Sequence, residues 1–269
     1  MKTRLTAALA ALLAAVLFVL ASCAPGEKNN GGTAMDTTNN TVPADTAAEN
    51  IATDASAEID ALLSRITVNE QSSIRIGTDK VIYFDPFRIK DAPHDADYIF
   101  ITHAHYDHFS PEDIAKVRKA DTAFICPESM QDDIKGLDVT VGNIIPLIPG
   151  VTLATPDFEV LTVPAYNTNK KYHPKANGWL GYIVTIDGVR LYVAGDTDVT
   201  DEAKAVECDI AMLPIGGTYT MTAQEAKELV KILSPAAAIP THYGTVVGKP
   251  SDYDTFADGL DCAVKKLVF

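Results

Sequence analysis

The chain has little positive charge: 22 Lys and Arg residues stand against 36 Asp and Glu, which gives a formal net charge of −14 over 269 residues. Because nucleic-acid backbones are held chiefly by basic side chains, this balance excludes nucleic acid as an expected partner. Cysteine is also scarce, and four residues in this length do not make a disulfide scaffold. Since 47% of the residues are hydrophobic, the chain is not disordered, and we expect one large folded domain or two small ones.

The N-terminal region also lacks an apolar run long enough to span a bilayer comfortably, which takes about 20 residues. The uncharged run from Ala7 to Ala21 is shorter than this, and it follows Lys2 and Arg4. A short positive region before such a run is typical of a signal peptide. The run ends in Leu-Ala-Ser-Cys at 20–23, which resembles the lipobox of bacterial lipoproteins.

The lipobox resemblance implies that residues 1–22 are a lipoprotein signal peptide. Cys23 would become the lipidated first residue of the mature chain, anchored to a bacterial cell membrane on its extracytoplasmic side. An ordinary secretory signal with a chance cysteine is the alternative. Residues 24–50 contain no aromatic residue and are rich in Gly, Asn, Thr, Ala, Asp and Pro. Because such a segment buries little apolar surface, we interpret 23–54 as the lipidated cysteine and a flexible tether, and 55–269 as the folded domain.

Short segments rich in Val, Ile, Tyr and Phe recur through the domain and predict strands. These segments are Ser73–Ile76, Val81–Phe84, Tyr98–Thr102, Ala123–Cys126, Val151–Ala154, Glu159–Val163, Tyr182–Ile186, Leu191–Ala194, Ile210–Leu213, Ala236–Ile239 and Val264–Phe269. Helical patterns cover Ala57–Ile66, Pro111–Lys119, Ser129–Lys135, Ala223–Leu233 and Tyr253–Leu260. A strand-heavy first half followed by alternating strands and helices favours an α/β or α+β layered domain. Cys126, Cys208 and Cys262 lie in or near apolar runs, and we expect them to be small buried hydrophobic residues.

The chemistry concentrates in the segment Thr-His-Ala-His-Tyr-Asp-His at 102–108, which follows an apolar strand. Three of the six histidines fall in this segment. His103 and His105 are two residues apart, so an extended chain places both on one side. Neighbouring imidazoles repel one another when protonated, whereas neutral imidazoles around a divalent cation do not. The spacing therefore predicts a metal site.

His-x-His-x-Asp-His after a hydrophobic strand resembles the metallo-β-lactamase superfamily, and later motifs extend the resemblance over most of the domain. These motifs are Val-Ala-Gly-Asp-Thr at 193–197, Leu-Pro-Ile-Gly-Gly-Thr-Tyr-Thr-Met at 213–221 and Pro-Thr-His-Tyr-Gly-Thr at 240–245. The second resembles the branch that contains ascorbate-6-phosphate lactonase, and N-acyl phosphatidylethanolamine phospholipase D is more distantly similar. The resemblance implies an αββα sandwich, but one such fold hosts many reactions and does not identify the substrate.

The resemblance further implies two divalent metal ions bridged by Asp196. The other implied ligands are His103, His105, Asp107, His108 and His242. Asp107 and His242 are the catalytic candidates, and Asp107 would ligate the second metal and orient the hydroxide. Taken alone, Asp196 also fits a turn or helix cap, and His242 also fits a hydrogen-bonded surface histidine. Asp85 resembles the family aspartate that supports the metal loop without ligating, although an Asp-Pro turn is the alternative. Zinc is the default metal for such ligands, with manganese or iron open.

One position departs from the family pattern. Members usually carry a histidine in Pro-Ala-x-His, but this chain has Pro-Ala-Tyr-Asn at 164–167, so Asn167 occupies the histidine slot. His173 lies six residues later and is the histidine available between the first motif and Asp196. His173 is therefore a candidate ligand of the first metal, with substrate contact or a place in a solvated loop as alternatives.

The resemblance implies hydrolysis of an ester, lactone or phosphoester by a hydroxide held between two metals. True β-lactamases of this fold usually carry cysteine at the position of Asp196, so β-lactam hydrolysis is disfavoured. A different class remains open: a surface lipoprotein that binds a metal or ligand without turnover. The Asn167 departure favours that class, and retention of the other implied ligands weighs against it.

The loop around His173 also carries Lys170, Lys171 and Lys175. Such a cluster attracts phosphate or carboxylate groups, although a solvated charged face is the alternative. Lys170, Lys171 and Asn167 are therefore the candidate substrate-binding residues, and the expected substrate is small and anionic or lipid-like.

Overall fold

The computed structural model describes residues 56–266. The strands are β1 (Ile66–Val68), β2 (Ile74–Gly77), β3 (Val81–Phe84), β4 (Ala96–Phe100), β5 (Arg118–Pro127), β6 (Ile144–Leu147), β7 (Thr152–Ala154), β8 (Glu159–Pro164), β9 (Leu180–Ile186), β10 (Val189–Val193), β11 (Ile210–Pro214), β12 (Ala237–Thr241) and β13 (Ala263–Val264). The α-helices are α1 (56–65), α2 (Pro111–Val117), α3 (Gln131–Lys135), α4 (Asp201–Lys204), α5 (Ala223–Leu233) and α6 (Asp252–Ala257). Single 3₁₀ turns occupy Glu128–Met130, Val141–Asn143 and Lys175–Asn177.

Within the described residues the strands form two mixed sheets. The first has the order β1-β2-β3-β4-β5-β6, antiparallel from β1 to β3 and parallel from β3 to β6. The second has the order β13-β12-β11-β10-β9-β8-β7, antiparallel from β7 to β10 and parallel from β10 to β13. Each sheet therefore joins an antiparallel meander to a parallel half, and every parallel connection except the one from β3 to β4 carries a helix.

The alternation of side chains along the strands separates two apolar layers. In β3 and β4, Phe84 and Phe100 face the second sheet, where their rings contact Tyr182 of β9. The residue next to each, Tyr83 and Ile99, faces the opposite layer with α2 and α3. Helix α5 packs against β11 on the far side of the second sheet. The order is thus helix, sheet, sheet, helix, which confirms the predicted αββα sandwich.

Most predicted segments correspond to elements of the structure, but some bounds are wrong. The helix expected to run to Lys119 ends at Val117, because Arg118 is already extended and pairs with Ala96. The helix expected over Tyr253–Leu260 covers Asp252–Ala257. Elements β1, β6 and α4 were not predicted. Each has three or four residues, too few to show a period.

The signal peptide, Cys23 and the tether lie outside the described residues, so what the sequence indicates for them stays a prediction. Among residues 56–266, no helix is long and apolar enough to cross a membrane. Cys126 and Cys208 are buried and Cys262 is half-buried, and the three are unpaired. The expectation that they act as small hydrophobic residues is confirmed for Cys126 and Cys208.

Candidate metal centre

The candidate residues lie where five strands end. Asp85 follows β3, the histidine segment follows β4, Asp196 follows β10 and His242 follows β12. The loop with Asn167 and His173 follows β8, which runs in the same direction as β10 because both are antiparallel to β9. The carboxyl ends of these strands therefore meet at one edge of the sandwich, where sites of layered α/β domains are expected.

One cluster brings together His103, His105 and His173, with the ligand atoms of the three within 4.8 Å of one another. The distance from His103 Nε2 to His105 Nδ1 is 3.1 Å. Two donor atoms bound to one tetrahedral zinc are about 3.4 Å apart, given bonds of about 2.0–2.1 Å. The three imidazoles therefore have the spacing of a metal triad, and His173 joins it despite lying six residues beyond the family slot.

A second cluster brings together Asp107, His108 and His242. Asp107 Oδ2 lies 3.2 Å from His242 Nε2 and 3.8 Å from His108 Nε2. All three residues are buried. His242 adopts φ +55, a left-handed conformation that costs a non-glycine residue free energy and commonly marks functional positions.

Asp196 lies between the two clusters. Its Oδ2 is 3.2 Å from His173 Nε2 and 3.3 Å from His242 Nε2, and its Oδ1 is 3.4 Å from His108 Nε2. His103, His108 and Asp196 form a third group of potential ligands. One carboxylate thus reaches both histidine sets, which is the geometry of a bridging ligand. All seven predicted metal ligands come together at this edge.

Asp85 is fully buried and holds the histidine segment from behind. Its carboxylate accepts hydrogen bonds from the Thr102 backbone N–H at 2.8 Å, from Thr102 Oγ1 at 2.6 Å and from His108 Nδ1 at 2.7 Å. Because the Thr102 hydroxyl donates to Asp85, it is left to accept from His103 Nδ1, 2.9 Å away. Both Nδ1 atoms then carry hydrogen, and both Nε2 atoms are left as metal ligands. The support role that the family resemblance implied for Asp85 has this geometric basis.

Gly195 allows the two sheets to approach beside Asp196. Its φ is +63, and a Cβ there would lie 3.0 Å from the Leu180 carbonyl oxygen and 3.1 Å from Thr102 Cβ. A side chain here would strain the backbone and crowd Leu180 and Thr102, so glycine is strongly favoured at this position.

The electrostatics suit ligands for a cation. Burial, together with the neighbouring imidazoles, lowers the pKa of His103 well below its usual value and lowers that of His105, so both are neutral. Burial acts to raise the pKa of Asp196, but His242, His108 and the other imidazoles outweigh it, so the pKa is well below its usual value. Burial alone would lower the pKa of His108, yet Asp196 and Asp85 raise it to about 9. A metal ion at His108 must therefore displace a proton.

Several buried polar atoms at this edge have no hydrogen-bond partner in the described residues. They are His108 Nε2, His173 Nε2, Asp196 Oδ1 and His242 Nδ1. Unpaired buried polar atoms are costly, and three of these, all but His242 Nδ1, belong to the ligand positions assigned above. With oxygen and nitrogen donors only, this set fits zinc, manganese or iron.

The position of Asn167 explains how a displaced histidine reaches the site. Asn167 Oδ1 accepts from the His173 backbone N–H and from His173 Nδ1, each at 3.1 Å, which leaves His173 Nε2 facing Asp196. Asn167 Nδ2 donates to Asp198 Oδ1 at 3.2 Å and to the Tyr219 carbonyl at 2.9 Å. Asn167 thus orients His173, the histidine that reaches the cluster in place of the family histidine expected at position 167. No local pattern in the chain indicates this relation.

The geometry gives no support to substrate contacts by the three polar residues named for that role. The Asn167 side chain is already hydrogen-bonded to His173, Asp198 and Tyr219. Lys170 Nζ lies 2.6 Å from Asp198 Oδ1 in an ion pair, and Lys171 Nζ lies 5.8 Å from the centre of the Tyr172 ring. Lys175 is paired with Glu202 at 2.6 Å. The cluster acts mainly within its own loop, so substrate binding by it stays a prediction.

Two further residues contact the histidines and were not predicted from the sequence. Trp179, the single tryptophan of the chain, has its ring 4.9 Å from His103, 5.0 Å from His105 and 5.6 Å from His173. Gln71 is buried, and its carbonyl accepts from the His242 backbone N–H at 3.0 Å. Trp179 could have been singled out because it is the one tryptophan in the sequence. No local pattern indicates Gln71, which lies in the distant loop between β1 and β2.

Comparison with known proteins gives a consistent result. The family model of the β-lactamase superfamily domain matches residues 65–242. The UPF0173 metal-dependent hydrolase of Staphylothermus marinus is 33% identical over 67% of this chain and 81% of its own length, and that of Archaeoglobus fulgidus is 33% identical over 70% and 88%. The crystal structure of a candidate metal-dependent hydrolase from Parabacteroides distasonis aligns with TM-score 0.63 and 33% identity over 75% of this chain and 91% of that one.

Proposed function

The chain belongs to the metallo-β-lactamase superfamily, among the UPF0173 metal-dependent hydrolases, and on that basis we propose that it cleaves an ester, lactone or phosphoester bond with two divalent metal ions. The observation that carries the proposal is the place of Asp196, with Oδ2 3.2 Å from His173 Nε2 and 3.3 Å from His242 Nε2. His103, His105 and His173 would hold one ion. Asp107, His108 and His242 would hold the other. Zinc is the expected metal.

Bound divalent ions supply a deprotonated water at neutral pH and polarise the group under attack. The residues of the chain would position the attacking water and the substrate group that it attacks. Asp107 faces the cleft beside His242, and although burial acts to raise its pKa, the neighbouring His242 and His108 lower it. Its carboxylate therefore stays ionised, and it would accept a hydrogen bond from the attacking water and orient that water toward the substrate. His242 is the second catalytic candidate, because its Nε2 lies between the Asp107 and Asp196 carboxylates.

The branch of ascorbate-6-phosphate lactonase, which the segment 213–221 resembles, supports a lactone among the candidate bonds. It supports a phosphorylated substrate less, because no Lys or Arg is among the described residues that line the cleft. A binding protein without turnover was favoured by the missing histidine at Asn167, and the place of His173 beside Asp196 removes that support. We further propose that Cys23 anchors this enzyme to the extracytoplasmic side of a bacterial membrane.

A matched substrate panel tests the proposal. The full-length protein, loaded with zinc, manganese or iron, is incubated with a carboxylic ester, a lactone and a phosphodiester, before and after chelation. We expect metal-dependent cleavage of at least one and loss of cleavage in Asp107→Asn. A protein that holds two metal ions and cleaves none of the three would contradict the proposal.

A further inference from the structure

A cleft of about 300 Å³ lies directly over the candidate metal ligands. His105, Asp107, Asp196 and His242 form its polar floor. Its other lining residues are Tyr106, Tyr172, Tyr219, Val246 and Val247, here called the tyrosine wall. The carboxylates and imidazoles are thus confined to the reacting end, and the remainder of the cleft is lined by phenol and valine side chains.

The tyrosine wall is partly exposed, and ring contacts position its tyrosines. The exposed fractions of Tyr106 and Tyr172 are 64% and 40%. The Tyr172 ring meets the Tyr219 ring edge-on, with centroids 4.7 Å apart at 89°, and Tyr106 meets the buried Phe87 ring at 5.9 Å and 75°. Large side chains with exposed apolar surface around a cleft indicate a binding surface. Aromatic rings that are already positioned bind another ring at low entropic cost.

Two cations of the neighbouring loops are engaged in ion pairs. Lys170 is paired with Asp198, and Arg88 is paired with Glu70 while its guanidinium lies 5.2 Å from the Phe87 ring centre. Lys171 approaches the Tyr172 ring but does not line the cleft. An anionic group placed away from the polar floor would therefore lose hydration without an ion pair from a described residue that lines the cleft.

We propose that the substrate carries an uncharged aromatic ring beside the bond that is cleaved, and that this ring binds against the tyrosine wall. This inference rests on the proposed function, because it assigns the part of the substrate that does not react. The size fits: an apolar cavity of roughly 150 Å³ holds benzene, so 300 Å³ takes a ring with a short linker. Ring faces and edges on the wall favour an aromatic partner over a saturated one of similar size.

Binding of small amide probes tests this without turnover. The probes are N-benzylacetamide, N-(cyclohexylmethyl)acetamide and 4-(acetamidomethyl)benzoate, which differ in aromaticity and in charge. Affinities are measured by NMR titration of ring-labelled tyrosine in the full-length protein, both metal-free and metal-loaded. We expect N-benzylacetamide to bind about three- to tenfold more tightly than the other two in both forms.

Paired variants locate the contact. Tyr106→Leu and Tyr172→Leu should each weaken N-benzylacetamide about threefold or more, whereas Tyr106→Phe and Tyr172→Phe, which keep the ring, should stay within about twofold. Metal content and circular dichroism show that each variant folds. Equal affinity for the benzyl and cyclohexyl probes, tighter binding of the benzoate, or no binding at all would overturn the inference. Failure of the proposed function is distinguishable, because it appears as absent metal or absent hydrolysis.

Discussion

At the scale of single residues, the charge of Asp196 matters more than its shape. The side chain is 3% exposed and, among residues 56–266, is the carboxylate that reaches both histidine clusters. Asp196→Asn keeps the volume but leaves two neighbouring cations poorly compensated, so we expect metal content to fall and the hydrolysis rate to drop about 100-fold or more. Metal analysis beside kinetics measures both. Asp187→Asn, on a side chain 73% exposed, is the matched control and should change neither.

The Asn167–His173 pair gives a second test at this scale. His173→Ala removes a proposed ligand, whereas Asn167→Ala leaves the imidazole present but without its Nδ1 acceptor. We expect both to weaken metal binding, Asn167→Ala by about 10- to 100-fold. Quenching of the single tryptophan, Trp179, by Co²⁺ measures binding next to His173. Asn169→Ala, exposed in the same loop, serves as control. Unchanged affinity in Asn167→Ala would show that His173 is oriented by something else.

Much of the candidate site could be predicted from residue patterns, and the remainder depends on distant contacts. The motif at 102–108 and the aspartate at 196 follow strands, and local sequence marks both. The role of Asn167 was not predictable. The family motif shows that Asn167 replaces a histidine, but it does not show which residues the asparagine contacts. Gln71 was missed for the same reason: its contact with His242 spans 171 positions of the chain.

At the scale of elements, helix α5 shows when bounds can be predicted. Its observed range, Ala223–Leu233, equals the predicted one because Thr222 and Glu225 form a capping box. The end of α2 was placed too late because a tertiary contact decides it. Thr122 Oγ1 accepts from the Lys119 backbone N–H and donates to the Ala96 carbonyl, which draws residues after Val117 into β5. Local sequence therefore determines the bounds of α5, whereas a tertiary contact determines the end of α2.

The cap of α5 is itself testable. Thr222 Oγ1 accepts from the Glu225 backbone N–H at 3.2 Å, and a Glu225 carboxylate oxygen accepts from the Thr222 backbone N–H at 2.8 Å. Thr222→Ala removes the first bond and should cost about 1 kcal/mol of unfolding free energy, or roughly 2–4 °C in Tm for a domain of this size. Thermal unfolding followed by circular dichroism measures this. Thr222→Ser keeps the cap oxygen and should stay near the parent; an equal loss in both would assign the effect to packing.

At the scale of the whole molecule, the candidate metal centre joins loops from both sheets. His103 and His108 come from the first sheet, and His173, Asp196 and His242 from the second. A ligand that binds only the folded state stabilises it, by about 2.7 kcal/mol at 100 times its Kd. We therefore expect chelation to lower Tm and zinc to restore it, as measured by calorimetry. Asp196→Asn should reduce this change in Tm. A Tm that chelation does not affect in the parent protein would contradict a metal ion shared between the sheets.

We expect the N-terminal segment to determine where the whole molecule resides. If Cys23 carries the anchor, Cys23→Ser should either release the protein from membranes or leave an uncleaved precursor. Loss of Lys2 and Arg4 with the signal peptide takes the net charge from −14 to −16, so the mature chain has no electrostatic attraction to anionic lipid that would replace the acyl chains. Detergent-phase partitioning with mass spectrometry of the N-terminus distinguishes the forms. Cys262→Ser, on a half-buried cysteine of the folded domain, should partition as the parent does. A processed Cys23→Ser protein that still enters the detergent phase would show that another feature holds it at the membrane.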